Sequence, residues 1–113
     1  MERPLYPVAS REIAKKREEF APQTLNTFRA FSHQVFADGA LPSKTKELIA
    51  VAVAHVTQCA YCIRSHTQRA RLKGATGEEI MEAIWVAAEM RAGGAISHSA
   101  IAIDTIMSED ERE

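Results

Sequence analysis

The stretch Glu47-Leu-Ile-Ala-Val-Ala-Val-Ala-His55-Val-Thr-Gln-Cys59-Ala-Tyr-Cys62-Ile-Arg-Ser-His66 carries most of the information in this chain. It contains both cysteines and two of the four histidines. Cys59 and Cys62 have the two-residue spacing of a redox or metal-binding pair. Cys62 and His66 are four residues apart, so they share one face if the segment is helical. Thiol chemistry needs a nucleophilic sulfur, a second sulfur within reach and a base, and this stretch supplies all three.

The bulk composition indicates an ordinary folded protein. With 113 residues, 46% hydrophobic and 26% charged, the chain has the size and composition of one folded domain. The net charge of -1 gives no basic surface for nucleic acid. No apolar run reaches the roughly 18 residues of a membrane helix, so we expect neither nucleic acid nor a membrane as a partner.

The expected compartment is the cytoplasm. The N-terminal residues Met1-Glu2-Arg3-Pro4 lack the charged-then-apolar pattern of a signal peptide. In a reducing cytoplasm, a pair of cysteines is more often catalytic or metal-binding than a structural crosslink.

Helix signals recur along the whole chain. Caps, apolar stripes and breakers predict helices over about Arg11–Phe20 (with Ser10 as cap), Pro22–Phe36, Lys44–Val56 (with Ser43 as cap), Cys59 or Ala60 to Leu72, Thr76 to Arg91 and Ala95–Met107. Thr76 and Glu79 form a capping-box pattern, and Gly93-Gly94 is interpreted as a turn. Leu48 to Ala54 is apolar on every side, which predicts a buried central helix.

The fold class predicted from these signals is all-α. No segment alternates with period two, so no strand is expected. We therefore predict a single compact helical domain of about six helices over residues 1–113, with its core at about 25–105. Because the last two helices are rich in Ala, Gly and Ser, which allow close helix contacts, we also expect the domain to oligomerise.

The central stretch also predicts a proton relay. Cys59 lies at the start of a predicted helix and Cys62 in its first turn, where free backbone amides favour a thiolate. Cys62 could attack a peroxide and become a sulfenic acid, with which the other thiol would condense. His66 could serve as the base for Cys62. Glu47 begins the preceding, apolar helix, and a buried carboxylate needs a partner, for which His66 is the obvious candidate.

These residues resemble a known signature. Glu47, eleven residues, Cys59-x-x-Cys62, three residues and His66 are similar to the motif of the alkylhydroperoxidase D-like (AhpD-like), carboxymuconolactone decarboxylase superfamily. The similarity extends over about residues 25 to 105. It implies an all-helical fold that assembles as a trimer or hexamer. Tyr61 stands where the best-studied branch has a histidine between the cysteines.

The resemblance also implies a role for each site residue. In the peroxidase branch the second cysteine, here Cys62, is oxidised, and the first, here Cys59, gives a proton and closes the disulfide. The family's glutamate and final histidine match Glu47 and His66. The substrates implied are organic hydroperoxides, with a dithiol or disulfide-reductase electron donor. The decarboxylase branch generally lacks the cysteine pair, so the sequence favours a thiol-dependent, antioxidant peroxidase without a cofactor.

Alternatives remain at this stage. Cys59, Cys62, His66 and His55 could supply four zinc ligands in a non-catalytic redox or assembly module, although zinc modules usually bring two separated ligand pairs. The cysteines could also be small buried hydrophobic residues. A decarboxylase-like lyase acting on small lactone acids is the other enzymatic interpretation.

Overall fold

The structure is a computed structural model that describes residues 3–112. Within this range it has five helices: α1 (Arg11–Phe20), α2 (Pro22–Phe36), α3 (Ser43–Thr57), α4 (Ala60–Leu72) and α5 (Gly77–Glu111). No strand occurs among these residues, so the all-α prediction is confirmed, with five helices in place of about six. The chain forms two compact units, and the boundary between them lies between Ser43 and Lys44.

The first unit contains α1 and α2, which contact each other. Ser10 caps α1 as predicted, because its hydroxyl oxygen accepts a hydrogen bond from the backbone N–H of Ile13 at 3.2 Å. Pro22 occupies the first turn of α2, where its missing N–H costs nothing. No residue of either helix is buried, and the apolar residues Phe28 and Phe31 of α2 are exposed in the single chain.

The start of α3 differs by one residue from the prediction. The helix begins at Ser43 itself, and the cap is the side chain of Asp38, whose Oδ1 accepts a hydrogen bond from the Ser43 N–H at 2.7 Å. The predicted role of Ser43 as cap is therefore wrong. The carboxylate five residues earlier reaches the free N–H group and also suits the positive end of the helix.

The core of the second unit is built from small side chains. The buried cluster consists of Val51 of α3, Ala70 of α4, Ile80 of α5 and Ala75, which lies between α4 and α5. Leu48 and Ile84 pack against it. Val51 is the largest side chain that is completely buried. The prediction that α3 is a buried central helix holds for only one of its faces. Ile49 and Val53 are 47% and 52% exposed because α3 packs through one face.

A capping box starts α5 as the sequence predicted. Thr76 Oγ1 accepts a hydrogen bond from the Glu79 N–H at 3.1 Å, and Glu79 Oε1 accepts one from the Thr76 N–H at 2.9 Å. Lys44 Nζ lies 3.0 Å from Glu79 Oε2 and so connects the first turns of α3 and α5. The Thr76 N–H, and after it Lys44, lower the pKa of Glu79 below its usual value.

The observed bounds of α5 differ from the two helices predicted for this part of the chain. Gly93 and Gly94 do not form a turn, and no separate helix begins at Ala95, because α5 continues without interruption for 35 residues. Neither glycine has a positive φ. A glycine inside a helix costs about 1 kcal/mol relative to alanine, which is too little to break a helix stabilised on both sides. No helix of the described residues is long and apolar enough to cross a membrane.

A glycine-to-alanine pair tests the continuity of α5. We expect Gly94→Ala to raise the free energy of unfolding by roughly 0.5–1 kcal/mol, because alanine is the better helix former and no atom lies within 4 Å of the added Cβ. The measurement is denaturant unfolding beside the wild type. Gly74→Ala is the matched control: Gly74 has φ +93°, so the same change there should lower stability. A loss at Gly94 as large as that at Gly74 would indicate a turn.

Candidate active site

Helices α3 and α4 are joined by only two residues, Gln58 and Cys59, and this short connection fixes the backbone position of Cys59. Gln58 adopts a left-handed conformation with φ +57°, and the Cys59 N–H donates to the Ala54 carbonyl at 3.1 Å. This six-to-one hydrogen bond with a left-handed residue before it is the Schellman ending of a helix. The backbone of Cys59 is therefore held by the end of α3 before α4 begins.

The side chain of Cys59 caps α4. Its Sγ accepts a hydrogen bond from the Cys62 N–H at 3.2 Å, at the position where Ser or Asp usually stands. The same N–H could donate to a Cys59 thiolate after reduction, and the positive end of α4 favours that charge. Cys59 thus lies between the carboxyl end of one helix and the amino end of the next.

The two cysteines form a disulfide. Cys59 and Cys62 are bonded to each other, with their Cα atoms 5.2 Å apart. Both residues are half-buried, at the N-terminal end of α4. The two sulfurs are therefore within reach of each other without any unfolding of the helix.

A buried carboxylate bonds to the histidine of the motif. Glu47 Oε2 lies 2.7 Å from His66 Nδ1, and the two side chains are 3% and 17% exposed. An ionised carboxylate can only accept, so Nδ1–H of His66 is the donor in this bond. In the neutral imidazole with its hydrogen on Nδ1, Nε2 is the ring nitrogen that carries the acceptor lone pair. The partner that the sequence suggested for Glu47 is the one it contacts.

The register of α4 brings His66 to the side of Cys62. The two residues are one turn apart on the same helix, which places their Cβ atoms about 5–6 Å apart. Glu47, His66, Cys62 and Cys59 therefore lie in one region of the second unit.

The zinc interpretation receives no geometric support among residues 3–112. No group of three or more His, Cys, Asp or Glu side chains in that range is arranged to hold a metal ion. His55 Nδ1 lies 2.7 Å from the Val51 carbonyl of its own helix and donates to it. His66 is bonded to Glu47, as described above.

One residue at this site was not found from the sequence. The guanidinium of Arg91, in α5, donates to the Val56 carbonyl at 3.1 Å, in the last turn of α3. It satisfies one of the carbonyls that a helix end leaves without an intrahelical partner. The two residues are 35 positions apart, so no spacing rule could have paired them. The signal was only a basic side chain in a helix predicted to end at that residue.

Comparison with known proteins gives a consistent assignment. Residues 22–105 match the carboxymuconolactone decarboxylase family. A Paracoccus denitrificans protein, "uncharacterized protein 4 in cox locus", is 66% identical over 74 residues, which are 66% of this chain and 67% of that protein. The aligned part covers about two thirds of the length of the curated relatives.

Solved structures with the same fold include two members of this family. A Legionella pneumophila protein of this family is 36% identical, with a TM-score of 0.66 and 86% coverage of both chains. A Thermotoga maritima member is 33% identical, with a TM-score of 0.54 and coverage of 79% of this chain and 97% of that chain. A part in the antioxidative response has been suggested for the Thermotoga protein.

Proposed function

We propose that this chain, which belongs to the carboxymuconolactone decarboxylase family, is a thiol-dependent peroxidase that reduces organic hydroperoxides. The observation that carries the proposal is the cysteine pair at the start of α4, one turn before a histidine bonded to a buried carboxylate. The suggested antioxidative part of the Thermotoga relative supports the same class of chemistry.

The proposed oxidation has two steps. His66 accepts the proton of Cys62, and the thiolate attacks the terminal oxygen of the hydroperoxide. The O–O bond breaks, Cys62 becomes a sulfenic acid, and the alkoxide leaves as an alcohol after taking a proton. The Cys59 thiol then attacks the sulfenic sulfur, the S–S bond forms and water leaves. A dithiol donor returns two electrons and two protons and restores both thiols.

Glu47 acts through His66 in this scheme. Its carboxylate holds Nδ1–H, which orients the ring and leaves Nε2 as the nitrogen that exchanges a proton with the sulfur. The pair is held by two helices that share one core, so its orientation does not depend on a flexible loop.

The first test is peroxide consumption in the presence of a dithiol such as dihydrolipoamide. Wild type should consume an organic hydroperoxide continuously, and Cys62→Ser should not. Cys59→Ser should keep the first oxidation and accumulate a sulfenic acid, because the second thiol is absent. Hydroperoxide turnover that survives loss of both cysteines would contradict the proposal.

The second test concerns the relay. His66→Ala should slow the reaction of Cys62 with peroxide at neutral pH, because a general base is typically worth roughly 100- to 10,000-fold. Part of that effect is already supplied by the helix terminus, so a loss toward the lower end is expected. The loss should shrink as pH rises, since solvent then removes the thiol proton without help.

Glu47→Gln is the matched variant for the relay. It keeps the size of the side chain and removes the charge, so its loss should have the same direction and be smaller. The measurement is the pH dependence of peroxide turnover and thiol alkylation in all three proteins. A His66→Ala protein that matched wild type across neutral pH would show that His66 is structural.

Assembly is the remaining part of the proposal. Four exposed apolar residues of α5, Trp85, Ile96, Ile103 and Met107, share one face by their spacing, and the buried Ile80 and Ala87 lie on the opposite side. An apolar stripe of this length, exposed in the single chain, is typical of a subunit interface. We infer that the protein is a homo-oligomer, a trimer or a hexamer, in which this stripe contacts other copies.

Light scattering tests the assembly. Wild type should have three or six times the 12.5 kDa chain mass. Ile103→Glu should lower that mass, because a charge buried in an apolar interface is costly. Ile101→Glu is the control, since Ile101 is also exposed but points away from the stripe. A monomeric wild type at working concentrations would contradict the assembly.

A further inference from the structure

Two helix ends of opposite polarity meet at Cys59. The carboxyl end of α3 precedes it, with the Cys59 N–H bonded to the Ala54 carbonyl. The amino end of α4 follows it, with the Cys62 N–H bonded to the Cys59 sulfur. The amino end of a helix favours a negative charge and the carboxyl end opposes it. A thiolate at Cys59 would therefore be stabilised by α4 and destabilised by α3.

Arg91 lies beside the carboxyl end of α3, the helix end that disfavours a negative charge at Cys59. Its guanidinium donates to the Val56 carbonyl at 3.1 Å, three residues before Cys59. A cation at the carboxyl end of a helix compensates the partial negative charge of its free carbonyls. Arg91 belongs to α5, so the compensation comes from a different helix of the same unit.

We propose that Arg91 is a positioning residue of the redox pair, which stabilises the reduced form by offsetting the negative end of α3 beside Cys59. The inference rests on the proposed function to the extent that the disulfide must open and close. It adds a residue outside the Glu47, Cys59, Cys62 and His66 set.

The direction of the effect follows from the charges. In the disulfide neither sulfur is charged, so the polarity of α3 hardly matters to it. In the reduced protein a thiolate at Cys59 interacts with both helix ends, whereas one at Cys62, in the first turn of α4, interacts mainly with the amino end of α4, so the effect of Arg91 acts through the ionisation of Cys59. Removing the charge of Arg91 should therefore destabilise the reduced form alone and shift the equilibrium toward the disulfide.

Titratable groups near the pair also lie on the neighbouring helices, and α4 itself carries Tyr61 and Arg64 beside Cys62. On α3, Glu47 is bonded to His66 of α4, and His55 donates to its own helix at the Val51 carbonyl. On α5, Glu89 lies two residues before Arg91. None of these groups is altered in an Arg91 variant, so the comparison with wild type isolates the guanidinium.

The test is the equilibrium of the disulfide with glutathione. Opening it consumes two glutathione thiols, forms the two protein thiols and releases one glutathione disulfide. Arg91→Gln should lower the equilibrium constant for reduction about two- to fivefold at pH 8 and low salt, the usual size of a helix-terminus charge effect. Arg91→Lys should stay near wild type because it keeps the charge.

Two conditions separate an electrostatic role from a structural one. High salt should reduce the difference between wild type and Arg91→Gln, because the guanidinium is exposed and is screened. Low pH should also reduce it, because both thiols are then neutral. A change in packing would persist under both conditions.

Arg112→Gln is the matched control. It removes the same charge from the end of α5, about 30 Å from Arg91 along the helix axis, so its equilibrium constant should equal that of wild type. If Arg91→Gln does not fold, as judged by circular dichroism, Arg91→Met takes its place, since it keeps the aliphatic stem without the charge.

The outcomes distinguish this inference from the proposed function. Equal constants for wild type and Arg91→Gln would overturn the role of Arg91 and leave the peroxidase proposal standing. Equal losses in Arg91→Gln and Arg91→Lys would also overturn it, since hydrogen-bond geometry would then matter and charge would not. A wild-type disulfide that no glutathione mixture opens would overturn both proposals.

Discussion

The buried carboxylate of Glu47 is the constraint on which the second unit depends. A side chain that is only 3% exposed cannot keep a charge without a partner, and its partner is His66 of α4 at 2.7 Å. The pair fixes how far α4 can slide along α3, since a shift of one turn would separate the two side chains by about 5 Å. The apolar contact of Val51 and Ala70 beside it alone would not select a register, because small side chains fit in several.

The short connection between α3 and α4 positions Cys59 and is locally strained. Gln58 adopts a left-handed conformation that typically costs a residue other than glycine about 1–2 kcal/mol. The bonds from the Cys59 N–H to Ala54 and from Arg91 to Val56 help to hold it. The disulfide contributes little to the stability of the fold. The two cysteines are only three residues apart in sequence, and closing so short a loop removes little chain entropy. Such a crosslink can open and close with little effect on the fold, which suits a redox pair better than a structural crosslink.

Much of the fold followed from local signals in the sequence. The bounds of α1, α2 and α4, the Ser10 cap and the Thr76–Glu79 box were predictable because each depends on residues within a turn of one another. The break at Gly93-Gly94 was wrong because a local signal was taken alone, and the intrahelical bonds on both sides outweighed it. Asp38 was missed as the cap of α3 because it lies five residues from the N–H that it accepts.

At the site, relations between residues close in sequence were predictable, whereas contacts between residues far apart in sequence were not. The register of Cys62 with His66 follows from helix periodicity, and the need of Glu47 for a partner follows from the apolar run after it. The bond of Arg91 to Val56 joins two helices at positions that no periodicity relates. The left-handed Gln58 was equally hidden, since glutamine has no preference for that conformation.

The small size of the buried core of the second unit links the geometry of the candidate site to the association of chains. Val51 is the largest side chain that is completely buried, while Trp85, Ile96 and Ile103 remain exposed in the single chain. Apolar burial stabilises a fold by about 25 cal/mol per Å² removed from water, so a core made largely of alanines contributes little of that term. Yet this core must hold a buried carboxylate and a strained connection, which both oppose folding. Covering the exposed apolar side chains of α5 would add apolar burial that the single chain lacks. If other copies cover it, as we infer, the geometry of the Glu47–His66 pair depends on association as well as on the folding of one chain.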